Sequence, residues 1–419
     1  PLSPFKSADM AGASNAWAAG PSRSAAGGSL LANDPHLGLT APSIWYLARL
    51  ELPTGGIIGA TIPGMPLMLI GRSDQLGWGL TSAYLDDQDV VIERVNPENP
   101  DEYLTPDGPR KFRTAQTILT IKDAAPVTLT LRWSESGPIL PGSHYDLASV
   151  TPAGHVAALE WTALSDRDTT MTSGLRLMRA QNIPQAIEAG RLFIAPAQNL
   201  TLADKTGVAM QMIGAAPLRD VSHITKGRMP APGWEGKNRW IGTLPYDENP
   251  RFYGPDVSLL VNTNNKTIDR PFPKHISYDW GDTQRIARAT GLLQARQVHT
   301  RDSFIEAQLD TVSPTARALL PLIGADLWFT GEPSPSGTPD RMRQDALALL
   351  ANWNGEMSEH LPEPLIAEAW LRGRKTGDAS AVLENELETQ PEAEPSRGPD
   401  PRSAHVAVGI ADESDLDPV

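Results

Sequence analysis

At 419 residues, with a formal net charge of −14 and no cysteine, the chain has room for a large core and excludes disulfides and thiolate metal sites. The acidic balance argues against nucleic acid as a partner, because phosphate recognition needs basic patches. No run of about 18 uncharged apolar residues occurs, so no membrane helix is expected, and no cationic, apolar leader is read at the amino end.

Residues 1–13, PLSPFKSADMAGA, are rich in Pro, Ala, Gly and Ser. They read as a flexible linker with an uncrowded peptide bond at Ala13–Ser14. From Ser14 to His36, apolar and small residues are punctuated by Gly27-Gly28, which predicts two short strands joined by a turn. Residues 44–62 alternate as two further strands joined at Pro53–Gly56, and 63–71 reads as an apolar strand entered through a turn. Residues 93–165 are β-rich, with Thr117–Ile121 and Val127–Leu131 alternating as exposed antiparallel strands do. His144 and His155 read as surface residues near turns. Residues 172–192 turn helical, and Asn199–Ala203 and Gly207–Ile213 form a hairpin closed by Asp204-Lys205-Thr206. A strand over residues 257–261, Val-Ser-Leu-Leu-Val, then ends in Asn262, Asn264 and Asn265. Amphipathic helices are expected over 282–296, 301–325, 339–353 and 362–374, with packing roles only. From Gly377 onward, eleven Asp or Glu face only Arg397 and Arg402, a net of −9 in a proline-studded tail of disorder-like composition.

The chemistry turns on Ser14. A serine hydroxyl is a weak nucleophile until a base takes its proton. The base can be a histidine, a lysine, or the serine's own α-amino group once the bond behind it is cut. Such an amine titrates at about 7.7–8.0, which suits the task. A buried strand serine with no chemistry is the bland reading on residues alone. A second cluster, Asp86, Asp87 and Asp89, should repel itself unless a cation or water relieves it.

Ser14-Asn15-Ala16-Trp17, followed by Gly20 to Leu37 with its Leu-Leu-Ala-Asn-Asp-Pro-His-Leu close, resembles the start of the β chain of the penicillin acylases, which are N-terminal-nucleophile hydrolases. Three further blocks match in order: Pro63-Gly64-Met65-Pro66, Trp78-Gly79-Leu80-Thr81 and Asp86-Asp87-Gln88-Asp89. The resemblance covers roughly residues 11–375. It implies an α+β fold, the αββα four-layer sandwich with an inserted helical region. It also implies a linker remnant at 1–13, a catalytic domain at 14–376 whose helical portion begins near 282, and an atypical tail at 377–419. The nucleophile would be Ser14, exposed by self-cleavage. The Ser82 amide and the Asn199 side chain would hold the oxyanion, and Arg219 would orient Asn199 or a substrate carboxylate. His36 would orient Ser14, with a capping or turn histidine as the alternative. One structural calcium would sit on Asp86, Asp89 and the Gln88 carbonyl, with no organic cofactor. The substrate would be a small N-acyl amide, a β-lactam side chain or an acyl-homoserine lactone, the partner an α chain from the same precursor, and the location periplasmic or secreted.

Other readings stay open at this point. A Ser-His-Asp hydrolase is possible in principle, although no Gly-x-Ser-x-Gly elbow occurs. A non-catalytic, calcium-stabilised module and an inactive, truncated acylase fragment are the remaining rivals.

Overall fold

The computed structural model describes residues 13–38, 40–53, 55–280, 283–323 and 331–375. The linker up to residue 12 and the tail from 376 therefore lie outside the described residues. The chain divides into two compact units, the first running to Gly281 and the second beginning at Asp282.

The first unit is built on two stacked antiparallel sheets. In the smaller, β1 (Ala13–Ala19) lies between β2 (Leu30–His36) and β20 (Leu259–Asn262). Ala16, Trp17, Ala18 and Ala19 are all buried, so this central strand is covered on both faces and reads as a continuous apolar run. The larger sheet has seven strands in the order β19-β15-β14-β6-β5-β4-β3. These are β3 (Tyr46–Leu52), β4 (Gly55–Thr61), β5 (Ile70–Ser73), β6 (Leu76–Ser82), β14 (Gln198–Asp204), β15 (Gly207–Ile213) and β19 (Arg251–Tyr253). The β14–β15 turn is closed as its residues demand. Asp204 Oδ1 accepts from the Thr206 N–H at 2.8 Å, the Thr206 hydroxyl at 2.6 Å and the Gly207 N–H at 3.1 Å.

Strand alternation sorts the large sheet's side chains. Leu76, Trp78, Leu200 and Leu202 point outward and pack under α1 (Thr170–Leu177) and α2 (Ile183–Gly190) through Leu177, Ile183 and Ile187. Where one helical stretch was expected over 172–192, there are two. Asn182 caps α2, accepting from the Gln185 N–H, and Pro184 takes the first turn, because a proline inside a helix removes a bond and clashes. Residues 63–69 are also not a strand. Pro63 and Pro66 cannot donate to a ladder, so pairing starts only at Ile70, and Leu67 and Met68 fill the core instead.

The inner face of the large sheet meets the small one, and the Asn33 side chain is one of the links between them. Asn33 on β2 donates from Nδ2 to the carbonyls of Asn15 at 2.8 Å and Leu80 at 3.0 Å, while its Oδ1 accepts the Leu80 N–H at 3.0 Å. Gly79 makes room for it: a Cβ there would lie 2.8 Å from the Asn33 Cβ. A Gly79→Ala variant is therefore expected to lose about 1–3 kcal/mol, read as a lowered thermal midpoint, by forcing the sheets apart.

A third sheet runs β12 (Ile139–Leu140), β13 (His155–Trp161), β7 (Gln88–Asn96), β8 (Asn99–Thr105) and β9 (Gly108–Lys111), with β17 (Ala231–Pro232) parallel to β7. Two short ladders complete the unit: β10 (Arg113–Leu119) with β11 (Val127–Trp133), and β16 (Pro217–Arg219) with β18 (Trp240–Thr243).

The second unit is helical: α3 (Gln284–Gln294), α4 (Arg301–Gln308), α5 (Pro314–Leu319), α6 (Pro339–Ala351) and α7 (Glu363–Lys375). Thr300 and Ser303 form a reciprocal capping box on α4, and Ser313 and Thr338 cap α5 and α6. The single helix expected over 301–325 is split before Pro314 for the reason seen at Pro184. Its core gathers Ala316, Leu350, Trp353 and Ala367.

Candidate functional site

Ser14 is the second residue of β1, 9% exposed, paired in register with Pro35. Its backbone N–H donates to the side-chain oxygen of Asn264 at 2.7 Å, across 250 residues of sequence. Asn264 follows the end of β20 in a left-handed conformation, φ +67°, which asparagine tolerates better than most residues. The turn is held by its own N–H, which donates to Asn262 Oδ1 at 3.1 Å. Asn264 Nδ2 donates to the Ser82 carbonyl at 3.0 Å. One asparagine therefore ties the serine nitrogen to the end of β6.

The Ser82 N–H faces away from β14. Ala83 donates to the Ala197 carbonyl at 3.2 Å, so the neighbouring Ser82–Gln198 pair is the non-hydrogen-bonded kind. Leu80, of the same parity, turns its N–H to Asn33 rather than to β14. On that side β5 pairs with β6 only at Gly77 and Trp78, so the Ser82 amide lies beyond its ladder.

Asn199 stands one residue removed. Its Nδ2 reaches Asn262 Oδ1 at 3.5 Å, and the Thr81 hydroxyl donates to the same oxygen at 2.6 Å. Asn199, Asn262, Asn264 and Thr81 are all at most 2% exposed, a polar cluster between the two sheets. His36 is 43% exposed at the end of β2, opposite Ala13, and pairs with Asp34 at 2.9 Å. The sequence named Asn262, Asn264 and Asn265 together at a strand end and chose none of them. The signal that would have chosen Asn264 is the turn at a strand end, where asparagine suits φ > 0.

Arg219, Asp86 and Asp89 come together as an ion cluster. Arg219 is 1% exposed, and its fork grips Asp89, Nε to Oδ2 at 2.7 Å and Nη2 to Oδ1 at 3.1 Å. Trp240 Nε1 donates to the same Asp89 Oδ2 at 2.6 Å. Arg219 also lies 3.3 Å from Asp86 Oδ2, to which His275 Nε2 donates at 2.8 Å, and Arg219 Nη2 donates to the Asp86 carbonyl at 3.2 Å. Gly227, φ +82°, covers the guanidinium, since a Cβ there would lie 2.7 Å from Nε. Gln88 opens β7 on the exposed side, and Asp87 turns instead to the Thr162 hydroxyl at 3.2 Å, with burial pushing its carboxyl above the usual range. The calcium implied by the resemblance does not fit these donors. Their lone pairs already face a guanidinium, an indole and an imidazole, whereas calcium takes about six to eight oxygens.

Across β13–β7 from Asp89 sits Glu160, whose carboxyl is pushed up to about 8, first by burial and then by the Asp89 charge. A raised folded-state value means protonation favours the fold. That contribution is full below the ordinary value of 4.5 and is lost as pH rises through about 8. A Glu160→Gln variant should therefore melt above the native chain at pH 9 and close to it at pH 5, by calorimetry at the two pH values.

A serine near the start of a central strand, in a small sheet stacked on a larger one whose far face carries helices, defines the α+β architecture of the N-terminal-nucleophile hydrolases. Penicillin G acylase from Alcaligenes faecalis shares it at a TM-score of 0.70 and 20% identity, over 94% of this chain and 70% of that one. The chain belongs to the penicillin amidase family, whose model matches residues 2–409. It is 30% identical to the acyl-homoserine lactone acylase QuiP of Pseudomonas aeruginosa, over 72% of this chain and 36% of that protein. It is 26% identical to penicillin G acylase of Escherichia coli, over 82% of this chain and 39% of that one. The chain thus spans less than half the length of these curated relatives.

Proposed function

We propose that the chain is the serine-bearing part of an amide hydrolase that removes acyl groups from small N-acyl amides. The observation that carries this reading is the 2.7 Å hydrogen bond between the Ser14 nitrogen and Asn264, whose other amide atom sits on Ser82.

The first stage is self-cleavage. Ser14 Oγ adds to the Ala13 carbonyl carbon, the C–N bond breaks, and the hydroxyl proton passes to the Ser14 nitrogen. Water then splits the resulting ester, leaving Ala13 as a carboxylate and Ser14 with a free amine and hydroxyl. Asn264 Oδ1 keeps the new amine in the place where it already holds the N–H. In the second stage that amine takes the Oγ proton while Oγ attacks the substrate carbonyl. The Ser82 N–H and the Asn264 amide receive the developing oxyanion. The leaving amine takes the proton, and water resolves the acyl-enzyme.

The named relatives point to acyl-homoserine lactones or penicillin side-chain amides as substrates. A relative named as a penicillin acylase proenzyme supports a partner chain cut from the same precursor. The test is the mass and first residue of the chain purified from its full precursor, together with chromatographic assay of both substrate classes. A mature chain starting at Ser14 that hydrolyses one class is expected; an uncut, active chain would overturn the reading.

A further inference from the structure

The acidic cluster after Ser82 needs a positive charge, because the buried carboxylate of Asp89 and the half-buried one of Asp86 converge on one place. The fold supplies one. Arg219 reaches the cluster from β16, meets both Asp89 oxygens, and touches both the carboxylate and the carbonyl of Asp86. An added dication would have to lie beside the guanidinium, and at such separations in a poorly hydrated site like charges repel strongly. Trp240 and His275 take up further lone pairs that a metal would use. Among the described residues, no group of three or more His, Asp or Glu is arranged to hold a metal.

The cluster also bears on the site. The segment leaving Ser82 and the segment leaving Asn264 are tied at their start by the Asn264–Ser82 bond. They are tied again further on, where the Asp86 N–H donates to the Ile276 carbonyl at 2.8 Å and His275 donates to the Asp86 carboxylate. Ala83 and Ile276 share a small core between these ties. Asp86 is thus the far clamp of the two strips that carry the oxyanion donors, and Arg219 fixes Asp86 from a third segment. We propose that Arg219 is the resident counter-cation of the Asp86–Asp89 cluster in place of calcium, and that by holding Asp86 it positions Ser82 against Asn264. The positioning half rests on the acylase reading; the counter-cation half does not.

The first measurement needs no variant. The purified protein is dialysed against EGTA, then divided into portions with and without about 1 mM calcium chloride, and its metal content and thermal midpoint are measured. Less than about 0.1 calcium per chain and equal midpoints are expected. About one calcium per chain, or a midpoint that falls on chelation, overturns the counter-cation. The second measurement uses Arg219→Met and Arg219→Lys. Without the guanidinium the two carboxylates lack a counter-charge, so calcium should raise the midpoint of Arg219→Met while leaving the parent unmoved. A midpoint of Arg219→Met indifferent to calcium and equal to the parent's overturns the proposal. If Arg219→Met yields no folded protein, the metal content of the parent still decides.

For positioning, Arg219→Met should lower kcat roughly 10- to 100-fold with KM little changed, and Arg219→Lys should recover part of the loss. An unchanged kcat, or a loss confined to KM, refutes positioning. Failure of the acylase reading is distinguishable, because the parent itself would then show no turnover while its metal content stayed as stated.

Discussion

A Ser14→Ala chain is expected to keep residues 1–13 and to lose hydrolysis by at least about 10⁴-fold, with its fold intact. The two losses have one cause. The alanine lacks the oxygen that must add to the Ala13 carbonyl, so the linker stays and no free amine forms at position 14. Without that amine there is no base, and without the oxygen no nucleophile. Ser14 is buried in its strand, and the smaller alanine fits the same space, so stability should move little. Intact mass, circular dichroism and turnover on one preparation separate these effects. The parent should also lose kcat/KM as pH falls below about 8, because protonation of the amine removes the base. A serine activated by a histidine would lose turnover on the same substitution without any change in mass, so the retained linker is the deciding observation.

Much of this arrangement was legible in the sequence because it is local. Ser14, the strand that carries it and the strand that returns beside it lie within one short stretch, and alternation with turn residues reads them directly. The β14–β15 hairpin was legible for the same reason, since Asp204 closes its own turn. The errors came where a proline outweighed apolar content. Pro63 and Pro66 keep an apolar run out of the ladder, and Pro184 and Pro314 start new helices where periodicity suggested continuous ones. Long-range pairing was harder. Asn199, Asn262 and Asn264 are chemically alike, and only the stacking of the two sheets decides which faces Ser14. The acidic run could be read as needing a cation, but nothing near it in sequence says that the cation is Arg219, 130 residues away from Asp89.

Replacement of Asn264 should give the second large effect, a fall of about 10²- to 10³-fold in kcat, as expected for one oxyanion donor. Asn264→Ala alone would be ambiguous. The residue has φ +67°, and alanine there carries backbone strain of about 1–2 kcal/mol that could disturb Ser14 by itself. Glycine adopts that conformation freely. If the amide acts chemically, Asn264→Gly should lose as much kcat as Asn264→Ala while recovering its thermal midpoint. If strain alone were responsible, glycine would restore both. Asn199→Ala completes the comparison. Its amide reaches Asn262 rather than the serine, so it should lose stability through a disturbed buried cluster and less than about 10-fold in kcat. A reversal, with Asn199→Ala the more damaging to kcat, would move the oxyanion donor to Asn199 and leave Asn264 as the residue that merely holds the serine's nitrogen.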